Sequence, residues 1–264
     1  MDLQLENELA FISGSTKGIG FAVAKALLEE KASVIINGRT QKSVDDAVAR
    51  LKKEYPAETV RGIAADFTQA NEVTYLLERL PELSILINNV GIYNSIPFFD
   101  TPDEDWYQQF EVNVMSGVRL SKHCLAKMLA RNWGRIVFIS SECASLVPSD
   151  LIAYSMTKAS LTAISRGLAQ MTRGTKVTVN TVMPGSTHSE SAVEFLREAA
   201  TEQGKSVKEI EQDFFKEVRP SSLLQRFASV EEIAHTIVYF TSPLSAATNG
   251  AVIKADGGSV GGIL

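Results

Sequence analysis

The sequence predicts an α/β fold: a doubly wound parallel sheet with helices on both faces. Two observations carry this. Short runs that are apolar throughout alternate almost end to end with amphipathic stretches of helical spacing. Strands apolar on every residue belong to sheets covered on both sides, and strand–helix alternation makes those sheets parallel. Seven such runs can be counted, too many for the smallest open α/β units.

The elements follow in order. Residues 9–13 (LAFIS) form a first strand that breaks at Gly14. Residues 18–30 place Ile19, Val23, Ala26 and Leu27 at helical spacing. A second strand covers 33–37, a charged helix 41–54, a third strand 60–64, a helix 69–79 and a fourth strand 84–88. Thr101-Pro102-Asp103-Glu104 reads as a helix start, with Thr101 as cap, Pro102 in the first position and Glu104 closing a capping box. A long helix is expected over 116–131, a strand over 135–140, a helix over 154–172 and a strand over 176–182. A helix over 230–241 and a seventh strand over 251–254 complete the pattern. Residues 185–225 break the rhythm, because they are far longer than an ordinary connection and their middle, 191–216, is charged and helix-forming. Insertions after a strand's C-terminal end are where α/β folds place lids. One domain, 1–264, with a substrate lid over about 185–225 is the expected organisation.

Composition excludes several classes of protein. A chain of 264 residues with 45% hydrophobic and 22% charged residues buries a core without disulfides or metal. A net charge of −5 argues against nucleic acid as the main partner. No run of about 18 uncharged apolar residues occurs, so no membrane span is expected. The N-terminal MDLQLENELAF carries acids where a signal peptide needs a basic start, which points to a soluble cytoplasmic protein. Cys124 and Cys143 make no metal or redox spacing, and His123, His188 and His235 are scattered, so no metal is expected.

The first strand runs into Gly14-Ser15-Thr16-Lys17-Gly18-Ile19-Gly20 and then straight into a helix. Such a turn brings a phosphate close to bare backbone amides at the positive end of a helix dipole. Between the first strand and first helix of an alternating chain, it predicts a dinucleotide site. An acid ending the second strand would bind the ribose 2′-hydroxyl of NAD. Here that strand ends Asn37-Gly38-Arg39-Thr40 with no acid, and Lys17 lies inside the turn. Two cations suit a 2′-phosphate, so NADP(H) is favoured over NAD(H).

Tyr154 and Lys158 stand at i and i+4 on one helical face. A tyrosine phenol with its ordinary pKa near 10 is a poor proton shuttle at neutral pH. An ammonium close by favours the phenolate, and a shift of about 3 units needs roughly 4 kcal/mol of differential interaction.

With these residues the chain resembles the short-chain dehydrogenase/reductase family, in its short NADP(H)-type branch. Residues 13–20 resemble the family's TGxxxGxG turn, with Ser13 for the usual Thr. Asp66, followed by Phe67, resembles the adenine-contacting acid, and Asn88-Asn89-Val90-Gly91 resembles the NNAG motif. Asn113 falls at the family's catalytic asparagine, and Ser141 precedes Tyr154 by the usual 13 positions; Ser140 is one place off. Pro184-Gly185 resembles the motif whose loop closes over the nicotinamide; Thr187 keeps one hydroxyl of that loop, and Ser189 stands where a second Thr is common. Asp256-Gly257-Gly258 is similar to the family's closing DGG.

The resemblance implies a Rossmann-type seven-stranded sheet in the order 3-2-1-4-5-6-7 and hydride transfer between a nicotinamide and a carbonyl or alcohol. The implied cofactor contacts are Gly14 to Gly20, Arg39, Asp66, Phe67, Asn89, Gly91, Tyr154, Lys158, Pro184, Gly185 and Thr187. Tyr154 would be the general acid, and Ser141 would orient the carbonyl oxygen. Lys158 would tune the phenol and hold the ribose, and Asn113 would anchor a water behind the lysine. A 3-oxoacyl thioester or a small cyclic ketone is the expected substrate class. An NAD-dependent alcohol dehydrogenase and a non-catalytic NADPH-sensing regulator are the alternatives. The family's pairing through the helix of Tyr154 implies a homotetramer or homodimer; small residues on that helix (Ala159, Ala163, Gly167, Ala169) permit close approach.

Neighbouring residues are expected to do less. Glu142, in an extended segment, would point away from the site. Cys143 would pack, and His188 would be solvated. Tyr93, Phe98, Phe99 and Trp106 would form core and pocket wall. The tail 257–264 would be frayed or docked on a partner subunit.

Overall fold

The computed structural model describes residues 1–262. Its strands are β1 (Leu9–Ile12), β2 (Ser33–Gly38), β3 (Val60–Ala64), β4 (Ile85–Asn88), β5 (Gly134–Ile139), β6 (Val177–Pro184) and β7 (Val252–Ala255). They form one sheet in the order β3-β2-β1-β4-β5-β6-β7, with every adjacent pair parallel. This is the Rossmann-type order that the resemblance implies.

Helices α1 (Gly18–Glu29), α2 (Gln41–Glu54), α3 (Ala70–Arg79), α4 (Asp103–Phe110) and α5 (Ser116–Ala130) belong to the first part of the chain. They are followed by α6 (Cys143–Leu146), α7 (Ile152–Met171), α8 (Glu190–Gln203), α9 (Val207–Asp213) and α10 (Val230–Tyr239). Strand parity divides the core in two. Ile12, Val34, Ile36, Ile87 and Val137 pack with residues of α1, α2 and α10, whereas Phe11, Ile35, Leu86, Ile136 and Phe138 pack with α3, α5 and α7. Alternate side chains of a strand face opposite ways, so a run apolar at every position feeds both layers. Each fully buried side chain of this kind contributes about 1.5–3 kcal/mol over an exposed one.

The strand order reverses at β1, which pairs with β2 on one side and β4 on the other. The helices that follow β1 and β4 leave to opposite faces and open a crevice above the strand ends. Both the glycine turn and the NNVG segment lie at this rim.

Two local features differ from the sequence reading. Pro102, not Thr101, flanks α4, and no side chain caps it. The Thr101 hydroxyl turns back to donate to the carbonyls of Ile96 (3.3 Å) and Pro97 (3.0 Å), so no capping box forms with Glu104. Asp103, Glu104 and Asp105 in the first turn still suit the helix dipole. Helix α4 then runs into α5 through one wide turn, Glu111–Met115, which carries Asn113. Wide turns of this type recur at functional sites.

The connection after β6 folds around its own small core of Leu196, Ala200, Ile210, Phe215 and Phe227. The start of the C-terminal tail is held by its own chain: the amides of Leu223 and Leu224 donate to the Gly257 carbonyl, and Asp256 accepts from the amides of Gly258 and Val260. The last two residues of the expected frayed or docked segment lie outside the described residues. Among the described residues no helix is long and apolar enough to cross a membrane.

Candidate active site

The glycine turn is a fixed cradle. Gly14 and Ser15 donate their amides to the side chain (3.1 Å) and carbonyl (2.7 Å) of Asn37, and the Ser15 hydroxyl donates to the Ile12 carbonyl at 2.7 Å. The Asn89 amide group donates to the carbonyls of Ser13 (3.0 Å) and Gly14 (2.8 Å). Ser13 keeps the role of a hydroxyl there, accepting from the amides of Asn89 and Val90. Ser15 and Asn89 therefore build the turn with their side chains. Helix α1 starts at Gly18 with no side-chain cap, which leaves the amides of its first turn without intrahelical acceptors. Gly20 is held by close approach: a Cβ there would lie 2.6 Å from Asn89 Nδ2 and 2.7 Å from the Gly14 carbonyl oxygen. Gly20→Ala is expected to destabilise the fold by about 1–3 kcal/mol, because the neighbours are backbone or a tied amide. Thermal unfolding checks this, and an unchanged midpoint would show that the turn can open.

Thr16 lies against Gly38, and Lys17 and Arg39 are exposed at the mouth. Among the described residues neither cation has an ion-pair partner. The start of α8 hangs over this turn, with Glu190 Oε2 3.6 Å from the position of a Cβ on Gly18. Lys17 also shares a surface pocket with Glu190, Glu194 and Phe195. Asp66 accepts from the Thr68 amide and hydroxyl, both at 2.9 Å, which fixes it at the end of β3. Phe67 is buried in the core, so its side chain offers nothing to a ligand.

Asn113, Ser141, Tyr154 and Lys158 converge. The Lys158 ammonium donates to the Ile139 carbonyl at 3.0 Å and lies 5.6 Å from the centre of the Tyr154 ring. Gly91 closes over it, a Cβ there falling 3.1 Å from Nζ. The Asn113 side chain is fully engaged, donating to the Ile92 carbonyl and the Thr157 hydroxyl (both 2.9 Å) and accepting from the Ile92 amide (2.7 Å). Ser141 acts on the Tyr154 phenol, and its hydroxyl accepts from the Cys143 amide at 3.2 Å. Ser140 donates to the Lys158 carbonyl at 2.8 Å.

The electrostatics correct one expectation. The sequence reading has the ammonium pulling the phenol down. Burial instead pushes Tyr154 above its ordinary range, with Cys143 adding to the rise and Ser141 opposing it. Burial also pushes Lys158 down to about 8. Desolvation penalises each group's charged form, so at neutral pH the phenol holds its proton.

Glu142 also departs from expectation. Its backbone is helical, not extended, and the residue is buried. Arg219 Nε donates to Glu142 Oε1 at 2.7 Å, and the Ser186 hydroxyl donates to the same oxygen at 3.3 Å. Sequence patterning misses this pair because its members are 77 residues apart. Asn37 and Thr157 are missed likewise, being ordinary residues inside a strand end and a helix.

Pro184 ends β6, the Gly185 amide donates to the Ala255 carbonyl at 3.1 Å, and the Thr187 hydroxyl donates to the Gly185 carbonyl at 2.8 Å. Ser189 caps α8, accepting from the Ala192 amide. His188 is not simply solvated: its Nε2 lies 3.3 Å from Glu211 Oε1 and its ring meets Phe227 edge-on. Cys143 is buried, as expected, with Sγ 3.9 Å from Arg219 Nη2. The aromatic residues differ from the expected core. Phe99 is 96% exposed, Phe98 and Tyr93 are exposed, and Tyr93 stands 5.7 Å from the Tyr154 ring. Trp106 meets Phe98 edge-on, half-buried.

Comparison with known proteins agrees with this geometry. A family model described as enoyl-(acyl carrier protein) reductase matches residues 14–259. The uncharacterized oxidoreductase YvrD of Bacillus subtilis (strain 168) is 45% identical over 263 residues, covering 98% of this chain and 99% of the relative. A second uncharacterized oxidoreductase of that organism, YvaG, is 44% identical over 260 residues, with 98% of each chain covered. Among solved structures, L-sorbose reductase from Gluconobacter frateurii, complexed with NADPH and L-sorbose, superposes with a TM-score of 0.93 at 27% identity over 100% of both chains. The strand order, the glycine turn and the near-complete family match together make this chain a member of the short-chain dehydrogenase/reductase family of oxidoreductases.

Proposed function

We propose that the chain is an NADP(H)-dependent reductase of ketones, with Tyr154 as general acid. The observation that carries this is the convergence of Ser141, Tyr154 and Lys158 beside a glycine turn open to a phosphate. The cofactor fits the residues present. The first-turn amides of α1 suit a diphosphate. Lys17 and Arg39 are free to meet a 2′-phosphate, and the side chain of Asn37, at the end of β2, is already engaged with the turn. The solved NADPH complex of L-sorbose reductase supports the same choice. When bound, the cofactor supplies the hydride.

This chain's own residues then manage the oxygen and the proton. As negative charge grows on the carbonyl oxygen, the Tyr154 phenol donates its proton to it. The Ser141 hydroxyl holds the same oxygen in line. Lys158 places a positive charge 5.6 Å from the centre of the phenol ring, where it would favour the charge left as the proton departs. Asn113 fixes the segment at Ile92 and the helix at Thr157, so the wall behind Lys158 does not drift. Residues 185–225 act as the substrate lid of one domain, and the carboxylate of Glu190 moves away from the turn when a diphosphate enters. The exposed apolar groove between α5 and α7, lined by Val118, Leu125, Leu129, Ile164, Leu168 and Met171, supports pairing into a dimer or tetramer.

The test is loss of NADPH absorbance across a panel of ketones, 3-oxoacyl thioesters and sugars; no turnover of any would refute the reading. The cofactor assignment has its own check. Arg39→Asp is expected to weaken NADPH about 10- to 100-fold, the value of one charged hydrogen bond, and to spare NADH. Equal NADPH affinity by titration would remove Arg39 from the site.

A further inference from the structure

Two helix starts meet at the glycine turn. Helix α1 opens at Gly18 with no side-chain cap, and α8 opens at Glu190 behind its Ser189 cap. A Cβ on Gly18 would lie 3.6 Å from Glu190 Oε2 and 3.8 Å from the Ser189 Cβ, so the first turn of the lid helix packs on the first residue of α1. Each helix start carries the positive end of a dipole, roughly half an elementary charge. Lys17, which flanks α1 and shares a surface cavity with Glu190, adds a full positive charge beside them. Brought together without an anion, these charges repel. Glu190 supplies the acidic group that lies within 4 Å of that meeting point. The residue is exposed, and among the described residues its carboxylate makes neither a hydrogen bond nor an ion pair. It is held by the field of the two helix starts and not by a fixed partner.

A dinucleotide diphosphate brings two negative charges to the same first-turn amides of α1. Glu190 then either withdraws, taking the start of α8 off the turn, or stays and repels the phosphates. Both cases weaken cofactor binding relative to a neutral side chain at this position. Glu194 and Glu198 follow one and two turns further along α8 and line the cavity with Lys17, the one cation among its lining side chains. A displaced Glu190 therefore finds no second cation along that wall and returns to the turn when the cofactor leaves.

Resting on the NADP(H) reading above, we propose that Glu190 is a built-in counter-ion that competes with the cofactor. In the free protein it holds the start of the lid on the glycine turn; the arriving diphosphate takes its place and releases the lid.

Fluorescence titration of the intact protein with NADPH tests this at an ionic strength of about 0.01 M, where charges act over roughly 30 Å. Glu190→Gln is expected to bind NADPH at least about threefold more tightly than the wild type, the effect of one exposed charge at a helix start. Glu202→Gln makes the same charge change near the far end of α8 and is expected to bind as the wild type does. The gap between Glu190→Gln and the wild type should narrow at about 1 M salt, where screening acts within roughly 3 Å. Limited proteolysis gives a second readout. The free Glu190→Gln protein is expected to be cut within residues 190–216 at least about twofold faster than the free wild type, and equally fast once NADPH is saturating. Loss of a first-turn acid that only steadies α8 would leave NADPH affinity unchanged at both salt concentrations. Equal or weaker binding by Glu190→Gln at low salt would overturn the proposal, as would equal cleavage of the free proteins. A wild type that binds no NADPH would overturn the cofactor reading itself; NADPH binding without a difference between the variants overturns only the competition.

Discussion

Tyr154→Phe is expected to lower kcat for ketone reduction by about 100- to 10,000-fold, the usual contribution of a positioned general acid. NADPH binding, read by fluorescence titration, should stay within about twofold, since the change removes a group needed in the transition state. The substitution deletes one oxygen and leaves the ring in place. The contact with Tyr93 at 5.7 Å survives, and the Lys158 ammonium keeps its bond to the Ile139 carbonyl. What is lost is the phenol hydroxyl, which carries its proton at neutral pH. Burial holds that phenol above its ordinary range, so the protonated form required for reduction is present throughout the neutral region. The oxidative direction needs the phenolate and should therefore gain rate as pH rises. A variant as fast as the wild type on every ketone would end the catalytic assignment and return the chain to nucleotide sensing.

The parts of the molecule legible in sequence are those with local causes. The strand centres at residues 34–36 and 136–139 are apolar at every position because both faces of the sheet are covered, and the structure divides their residues between two cores. The turn from Gly14 to Gly20 is legible because Gly20 answers the close approach of Asn89 and the turn's own backbone, while Gly14 and Gly18 take positive φ. Capping pairs Ser206/Glu209 and Ser229/Glu232 start α9 and α10 by the same short-range logic. Thr101 fails that logic because two nearby carbonyls compete for its hydroxyl. Glu142 fails it for a longer-range reason: alternation applies only to extended chain, and the chain turns helical one residue after Ser141 and meets an arginine from a distant insertion. His188 and the exposed Phe98 and Phe99 are of the same kind, since their surroundings are set by packing between segments that no periodicity connects.

Lys158→Met should separate stability from function. Burial pushes the Lys158 ammonium down to about 8 from 10.5. At about 1.4 kcal/mol per unit, holding the charge in the fold costs about 3 kcal/mol at neutral pH. The sign follows from proton binding. Between about pH 8 and 10.5 the unfolded lysine holds its proton while the folded one releases it, so the penalty is full below about 8 and fades as pH rises through that window. Methionine fills similar space without charge. It leaves the Ile139 carbonyl without its donor, a loss of about 1 kcal/mol, so a net gain of about 2 kcal/mol remains. That corresponds to a Tm roughly 4–8 °C higher at pH 7 for a chain of this size, with the difference from wild type narrowing above about pH 8. Ketone reduction should fall at least about 100-fold in the same variant, because no cation then favours proton release from Tyr154. Wild-type activity should decline as pH rises through about 8, where Lys158 loses its charge, and the residual activity of the variant should not. A folded variant with full activity would exclude the lysine from the mechanism. A lower Tm would show that its bond to Ile139 outweighs the burial of its charge. A higher Tm together with lost reduction would tie the burial of this cation to the proposed reaction rather than to the packing around it.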